Sequence, residues 1–205
     1  MATMNGPRFK QCRRLGLNVC GHPKAMKRAK PGTSRADKKL STYGTQLLEK
    51  QRLRAYYGVL EKQFRRYVLK AQKQSAQTGE ALITLLETRL DNIVYRMGAA
   101  TSIRQARQMV VHGHITLNGK KVDIPSHPVE VGDIVALSES AKTHSLFGLN
   151  FENAFIQSFP YLEKDLEARN AKLIKLPSRD EVPIEINDHC DNQASGEGRQ
   201  GSGYL

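Results

Sequence analysis

The sequence of 205 residues has no tryptophan, only three cysteines and no long run of apolar residues. A membrane-spanning helix needs about 20 consecutive apolar residues, so we predict no membrane span and no membrane partner. An odd number of widely spaced cysteines does not make a disulfide framework and indicates a reducing compartment. The chain also lacks a Walker-type or Rossmann glycine loop, an HExxH motif and a nucleophile elbow. We therefore expect no catalytic residue, no cofactor and no enzymatic activity.

The charge of the chain is strongly positive and unevenly distributed. Lysine and arginine number 32 against 20 aspartates and glutamates, which gives a formal net charge of +12. Residues 1–75 hold 19 basic and 3 acidic side chains, residues 76–137 hold 6 of each, and residues 138–205 hold 7 and 11. A membrane surface is the alternative partner, but prolines and glycines interrupt the basic region and leave it no wide apolar face. The sequence thus predicts a nucleic-acid partner, bound with strong salt dependence.

The basic region divides into two segments. Residues 1–40 are rich in Lys, Arg, Gly and Pro with little periodicity, which predicts an extended arm that becomes ordered on RNA. Helical periodicity starts after Ser41, with one apolar and one basic face. The candidate phosphate-binding side chains are Arg8, Lys10, Arg13 and Arg14 in the arm and Arg52, Arg54, Arg65 and Arg66 in the helices.

The same helical segment also contains four aromatic residues. They are Tyr56, Tyr57, Phe64 and Tyr67. Such rings can stack on unpaired bases, but aromatics at helical spacing more often belong to a core. We therefore predict that they are core residues and that the arginines contact RNA.

Two helices are predicted between residues 78 and 113. The first follows Thr78, carries an apolar stripe and closes at Gly98. The second starts at Thr101 and Ser102, whose hydroxyls can accept hydrogen bonds from the first turn, and ends at Gly113.

A hairpin follows the second helix. Residues 115–117 predict a strand, and Asn118-Gly119 is the strongest short signal for a two-residue turn, because both positions need positive φ. Lys120 and Lys121 stand directly after the turn. The hairpin therefore brings two cations onto the same small unit as the second helix.

Further cations lie on the second helix and at its joint with the hairpin. Arg104 and Arg107 are three residues apart and are expected to share an exposed face, with His112 and His114 at the joint. These side chains suit a phosphate backbone and stacking on unpaired bases, whereas the alternative is an ordinary solvated helix face. We predict that the four residues bind RNA together with the two lysines.

Four motifs in this region follow one another in order: RLDNIVYRMG at 89–98, RQARQ at 104–108, HGHITLNG at 112–119 and VGD at 131–133. Their order and spacing resemble the S4 RNA-binding domain. The flanking motifs are GPRFK at 6–10, RRLG at 13–16, LSTYG at 40–44, EKQRLR at 49–54 and YGVLEKQFR at 57–65, with Leu176-Pro177 and Ile186-Asn187 near the end. They resemble the bacterial and plastid S4 family of small-subunit ribosomal proteins.

The resemblance implies a protein that binds small-subunit rRNA directly and nucleates assembly of the 5′ domain. It also implies neighbours, ribosomal proteins S3 and S5, near the channel by which mRNA enters, and a contribution to translational accuracy. No apolar targeting segment precedes Gly6, so we expect the small ribosomal subunit of a bacterial cytoplasm, with a plastid version as the alternative.

Other functions remain open at this stage. Some relatives repress their own message, and S4-like domains also occur with RNA-modifying enzymes, to which this chain would be an accessory. Paired helices could also form a DNA-binding helix-turn-helix, although here a hairpin follows at once. Asp91 beside Arg89 could act as an acid or base, but an ion pair is the more common role for such a residue.

The resemblance also organises the chain into an α+β fold. The predicted domains are a basic arm (1–40), a mainly helical domain (41–88), an S4-type module of two helices and a small antiparallel sheet (89–150), a return segment packing on the helical domain (151–188) and a disordered tail (189–205). Short strands are expected between residues 122 and 137, and partly helical structure between residues 146 and 175.

Some members of the family hold zinc through four cysteines in the arm. This chain offers only Cys12, Cys20 and His22, with irregular spacing. Structural zinc takes four ligands, so we predict a metal-free arm.

Overall fold

A computed structural model describes residues 6–30, 32, 34, 37, 39–74, 77–144, 147, 149–151 and 159–184. The chain divides into two compact units, residues 1–82 with 184–205, and residues 83–183. Helices and one antiparallel five-stranded sheet confirm the predicted α+β class. Among the described helices, none is long and apolar enough to cross a membrane. The predicted disordered tail lies outside the described residues.

The elements follow one another along the chain with these bounds. The helices are α1 (Arg8–Leu15), α2 (Thr42–Tyr56), α3 (Glu61–Ala71), α4 (Thr78–Glu87), α5 (Leu90–Arg96), α6 (Ile103–Val111) and α7 (Glu139–Lys142). The strands are β1 (Ile115–Leu117), β2 (Lys120–Lys121), β3 (Ile134–Leu137), β4 (Leu162–Asp165) and β5 (Asn170–Leu173), and a 3₁₀ turn spans Arg179–Glu181.

The arm is more structured than the sequence predicted. Cys12 and Leu15 of α1 are buried with Val19, Ala25 and Leu48 in a small apolar core. The apolar residues of α1 recur three to four positions apart between arginines, so the helix buries one narrow face. Because lysine and arginine dominate the segment, the short apolar pattern of α1 was not recognised in the sequence.

Both predicted helix starts are confirmed by their caps. The Ser41 hydroxyl accepts from the Gly44 N–H at 3.2 Å at the start of α2, and the Ser102 hydroxyl accepts from the Gln105 N–H at 3.3 Å at the start of α6. Gly113 follows α6 with φ +72°, a conformation that L side chains rarely adopt, and so confirms the predicted stop.

The core assignment of the aromatic residues is confirmed for two of them. Tyr57 and Phe64 are each 1% exposed, whereas Tyr56 and Tyr67 are half-buried. Aromatic rings at the turn between α2 and α3 therefore build the amino-terminal unit.

The single helix predicted up to Gly98 was wrong, because Arg89 is extended with ψ 141° and separates α4 from α5. At the break the Leu90 N–H donates to the His127 carbonyl at 2.9 Å, and the Asp91 N–H donates to the Pro125 carbonyl at 3.0 Å. The apolar stripe continues across the break, so periodicity alone could not reveal it. Hydrogen bonds to a distant loop decide the geometry.

The sheet has the strand order β2-β1-β3-β5-β4, with every pair antiparallel. The hairpin and β3 were predicted, but residues 122–131 contain no strand. Partly helical structure was expected between residues 146 and 175, so the strands β4 and β5 were not predicted. Both strands belong to this sheet, whereas a separate return segment was expected there. These strands are four residues long, and pairing with a distant strand, rather than a local pattern, decides their conformation.

The core of the second unit lies between the helices and one face of the sheet. Val135 and Leu137 alternate inward along β3, and Ala171 and Leu173 do so along β5. They join buried side chains of α5 and α6, including Ile93, in one apolar cluster. The inner face is therefore apolar, and the hairpin stands at one end of the strand order.

Candidate nucleic-acid interface

The amino-terminal unit exposes cations on two helices. Arg8, Lys10 and Arg14 are exposed on α1, and Arg65 and Arg66 are exposed on α3. Guanidinium and ammonium groups in such positions can reach phosphate oxygens, and no buried protein group loses its partner when they do. These five predicted site residues are placed as an RNA contact requires.

Two other predicted site residues are partly engaged inside the unit. The Arg13 Nε donates to the Phe9 carbonyl at 3.2 Å. The Arg52 Nε donates to the Leu15 carbonyl at 3.0 Å, and its Nη1 donates to the Glu49 carboxylate at 2.7 Å. Arg52 thus ties α2 to the end of α1, a role that charge counting did not anticipate. An arginine has five N–H donors, so each can still offer others to RNA.

Arg54 also has a carboxylate partner. It donates to Glu61, which accepts from Lys50 at 2.5 Å as well. Burial alone would raise the pKa of Glu61, but the hydrogen bonds from Lys50 and Arg54 outweigh it and lower the pKa. The start of α3 is therefore neutralised locally, while the cations further along it are exposed.

The hairpin turn is built as predicted. Asn118 and Gly119 both have positive φ, at 49° and 78°. The Asn118 Nδ2 donates to the Asp133 carboxylate at 2.7 Å, and its Oδ1 accepts from the Ile134 N–H at 2.9 Å. One amide side chain thus fastens the turn to β3.

Lys121 lies directly over Gly113 at the end of α6. A Cβ on Gly113 would come within 2.5 Å of the Lys121 Nζ, a contact that the flexible lysine can relieve by moving, so it is the φ of +72° that favours glycine. The structure therefore places two exposed lysines, Lys120 and Lys121, next to the end of α6.

Three histidines and a phenylalanine form a chain of ring contacts that begins at the joint between α6 and the hairpin. The His112 and His114 ring centroids are 6.2 Å apart, Phe147 lies 5.4 Å from His114, and His144 lies 5.0 Å from Phe147. Burial, followed by the charges of His112, His144 and Lys121, lowers the pKa of His114. The sequence analysis missed His144 and Phe147, because no local spacing links them to the hairpin.

The two arginines of α6 have different environments. Arg104 is exposed, as predicted, whereas Arg107 turns back to Asp91, with its Nη2 2.7 Å from Oδ2 and its side chain 16% exposed. Arg89 lies 2.7 Å from the same carboxylate, which confirms the expected ion pair. The expectation that Arg107 shares the exposed face was wrong, since Asp91 draws its guanidinium to the junction of α5 and α6.

A second buried ion pair was missed altogether. Glu87, at the end of α4, is fully buried and lies 2.7 Å from the Arg96 guanidinium. It also accepts from Asn92 Nδ2 at 2.5 Å and from the Tyr161 hydroxyl at 3.3 Å. These bonds connect α4, α5 and the start of β4, and so orient the module that presents the hairpin.

The arm residues do not fit a zinc ion. The Asn18 amide oxygen accepts from both thiols, at 4.0 Å from Cys12 and 3.5 Å from Cys20, and the His22 Nδ1 accepts from a backbone N–H at 3.1 Å. Burial, with a hydrogen bond from Cys20, raises the pKa of Cys12 to about 11. Within the described ranges no three donors are grouped for a metal.

Comparison with known proteins decides the family. Residues 3–87 match the ribosomal protein S4/S9 N-terminal domain, and residues 88–135 match the S4 domain. The chain is 58% identical to small ribosomal subunit protein uS4 of Finegoldia magna over 92% of its own length and 96% of the relative's. The chain belongs to the uS4 family. It is also 50% identical to uS4B of Clostridium acetobutylicum, over 91% and 94% of the two lengths, and 51% identical to uS4A of Alkaliphilus oremlandii, over 74% and 73%.

The uS4 family consists of structural proteins rather than enzymes, in agreement with the prediction. The boundary between its two matched domains, at 87/88, coincides with the break between α4 and α5. The matched S4 domain includes β1 and β2 and ends within β3. The strands β4 and β5 extend the sheet beyond the matched S4 domain.

Proposed function

We propose that this chain is a structural constituent of the small ribosomal subunit that binds small-subunit rRNA directly. The observation that supports this most is the exposed set of cations on α1 and α3, in a segment with 19 basic and 3 acidic side chains. Because each neutralised phosphate releases counterions, this segment supplies most of the affinity.

The segment of residues 76–137, which contains the matched S4 domain, contributes to the orientation of the bound RNA rather than to the total charge. It is neutral overall, but Arg104, Lys120, Lys121, His112 and His114 lie on one helix and the adjoining hairpin. Phosphate and stacking contacts from such a local patch fix orientation on folded RNA. Arg107 belongs to the proposed interface through its remaining donors only.

The finer functional assignment follows from the family. We place the protein at the 5′ domain of the rRNA, where it nucleates assembly, beside ribosomal proteins S3 and S5. Its position near the channel by which mRNA enters would give it an influence on translational accuracy. Its compartment is the cytoplasm, within the ribosome.

Binding and footprinting test the proposal. We expect the protein to sediment with small subunits, to protect nucleotides of the 5′ domain, and to prefer a folded rRNA fragment over duplex DNA at fixed salt. Equal affinity for duplex DNA, or no protection within the 5′ domain, would contradict it.

A further inference from the structure

A basic cavity lies within the amino-terminal unit, between α1 and the turns that follow it. Its volume is about 390 Å³, within the range of roughly 300–1,000 Å³ that is usual for small-ligand sites. The lining residues are Phe9, Arg13, Lys24, Ala25, Lys27 and Arg28. Four of the six are basic and none is acidic, but the surface that the six residues present to the cavity is mostly apolar, so the cavity suits a flat apolar group that is attached to an anion.

The remaining wall of the cavity is apolar. Phe9 is half-buried against the arm core, and Ala25 is 1% exposed. The Phe9 ring meets the His22 ring with centroids 5.0 Å apart, and its backbone carbonyl accepts from the Arg13 Nε. These contacts hold the Phe9 ring, an aromatic surface of the kind on which unpaired bases stack, and the Arg13 side chain in the same cavity wall.

No carboxylate of the surrounding segment neutralises these cations. Residues 1–36 contain no aspartate or glutamate. The first acidic residue, Asp37, accepts from the backbone N–H groups of Gly32 and Ser34, at 3.0 and 3.1 Å. The charge of the cavity is therefore complementary to phosphate.

We propose that this cavity binds one unpaired nucleotide of an RNA strand, with the base against Phe9 and its phosphate facing the four cations. The inference rests on the proposed function, RNA binding, and adds a nucleotide site containing Lys24, Lys27 and Arg28. Paired nucleotides are excluded, because a base inside a duplex presents no free face to the ring.

Fluorescence provides a direct test, since the chain contains no tryptophan. Phe9→Trp places a single indole in the cavity, and Tyr43→Trp, at a side chain that is 65% exposed, places one elsewhere in the same unit. On binding an rRNA 5′-domain fragment, the first variant should lose emission and become protected from acrylamide, and the second should change little. A short single-stranded oligoribonucleotide should reproduce the effect, and the same sequence as a duplex should not.

Substitutions that leave the ring in place give an independent measurement. Lys27→Gln with Arg28→Gln, both exposed, should lower rRNA affinity and reduce the log–log salt slope by up to about 0.7, as expected when one phosphate of single-stranded RNA is no longer neutralised. Phe9→Leu, which retains an apolar side chain, should lower affinity by roughly 5- to 150-fold through lost stacking. The charge-matched control is Lys62→Gln with Lys73→Gln, which, combined with Phe9→Trp, should leave the quenching of the indole intact.

The outcomes separate this site from the general function. Wild-type protein that fails to bind the rRNA fragment would contradict the proposed function. Normal binding of the fragment with unchanged emission in the Phe9→Trp variant, or with unchanged affinity in the Lys27/Arg28 variant, would overturn the nucleotide site alone. Equal quenching by duplex RNA would also overturn it.

Discussion

The two units use the same charged residue types in opposite ways. In the amino-terminal unit Arg65 and Arg66 are exposed on α3. In the second unit Arg89 and Arg96 have side chains that are 3% exposed and face carboxylates that are 1% exposed or less. Exposed cations attract RNA, whereas buried pairs orient the helices. Charge counting along the sequence describes the first unit well and the second poorly.

The largest effect is expected when charge is removed from the buried pair of Glu87 and Arg96, which orients α4 and α5. Glu87→Gln leaves the Arg96 guanidinium buried without its carboxylate partner, and breaking such a pair costs about 3–5 kcal/mol of unfolding free energy. Urea unfolding followed by circular dichroism measures it. Glu139→Gln, whose side chain is 89% exposed, should change stability by less than about 0.5 kcal/mol and serves as the control. If the two variants lose equal stability, the buried pair does not carry the difference between the units.

The features that could be predicted from the sequence are those that neighbouring residues determine, and the features that were missed depend on distant contacts. The helix start after Ser41, the cap of α6 and the turn at Asn118-Gly119 depend on neighbouring residues, and all three were predicted. The break at Arg89 depends on hydrogen bonds to Pro125 and His127, more than 30 residues away, which no local period records. The proposed RNA-binding residues could be chosen from the sequence, but it did not reveal that Asp91 turns Arg107 inward or that Phe147 and His144 lie beside His114.

The next effect sharpens the contrast between the two arginines of α6. Arg107→Gln loses two hydrogen bonds to the buried Asp91 carboxylate, and charged hydrogen bonds are worth about 1.5–3 kcal/mol. Arg104→Gln, at an exposed position of the same helix, should cost less than about 0.5 kcal/mol and should instead weaken rRNA binding. Thermal unfolding and filter binding of both variants separate the roles. Equal stability of the two would show that Arg107 is not held by Asp91.

The exposed cations of the amino-terminal unit should act on affinity without acting on stability. Arg65→Gln with Arg66→Gln removes two proposed phosphate contacts, which should weaken rRNA binding roughly 5- to 30-fold near 0.1 M salt and flatten the salt dependence. The matched control is Lys172→Gln, an exposed cation in the acidic carboxyl-terminal third. Binding isotherms at several salt concentrations provide the slopes. An unchanged slope in the double variant would remove α3 from the interface.

The smallest expected effect concerns His114, which is half-buried in the second unit and also belongs to the proposed RNA-binding surface. Its pKa in the folded protein lies below its usual 6.5, so the unfolded chain takes up the proton first. The contribution of His114 to stability is therefore complete above pH 6.5 and is lost as the pH falls through the lower, folded value. A phosphate beside the ring favours the charged form, so rRNA affinity should move in the opposite direction, increasing about 2- to 10-fold between about pH 7.5 and 6. His114→Gln should abolish most of that increase at constant salt, and His127→Gln, outside the patch, should retain it. An affinity independent of pH in the wild-type protein would show that no phosphate approaches His114.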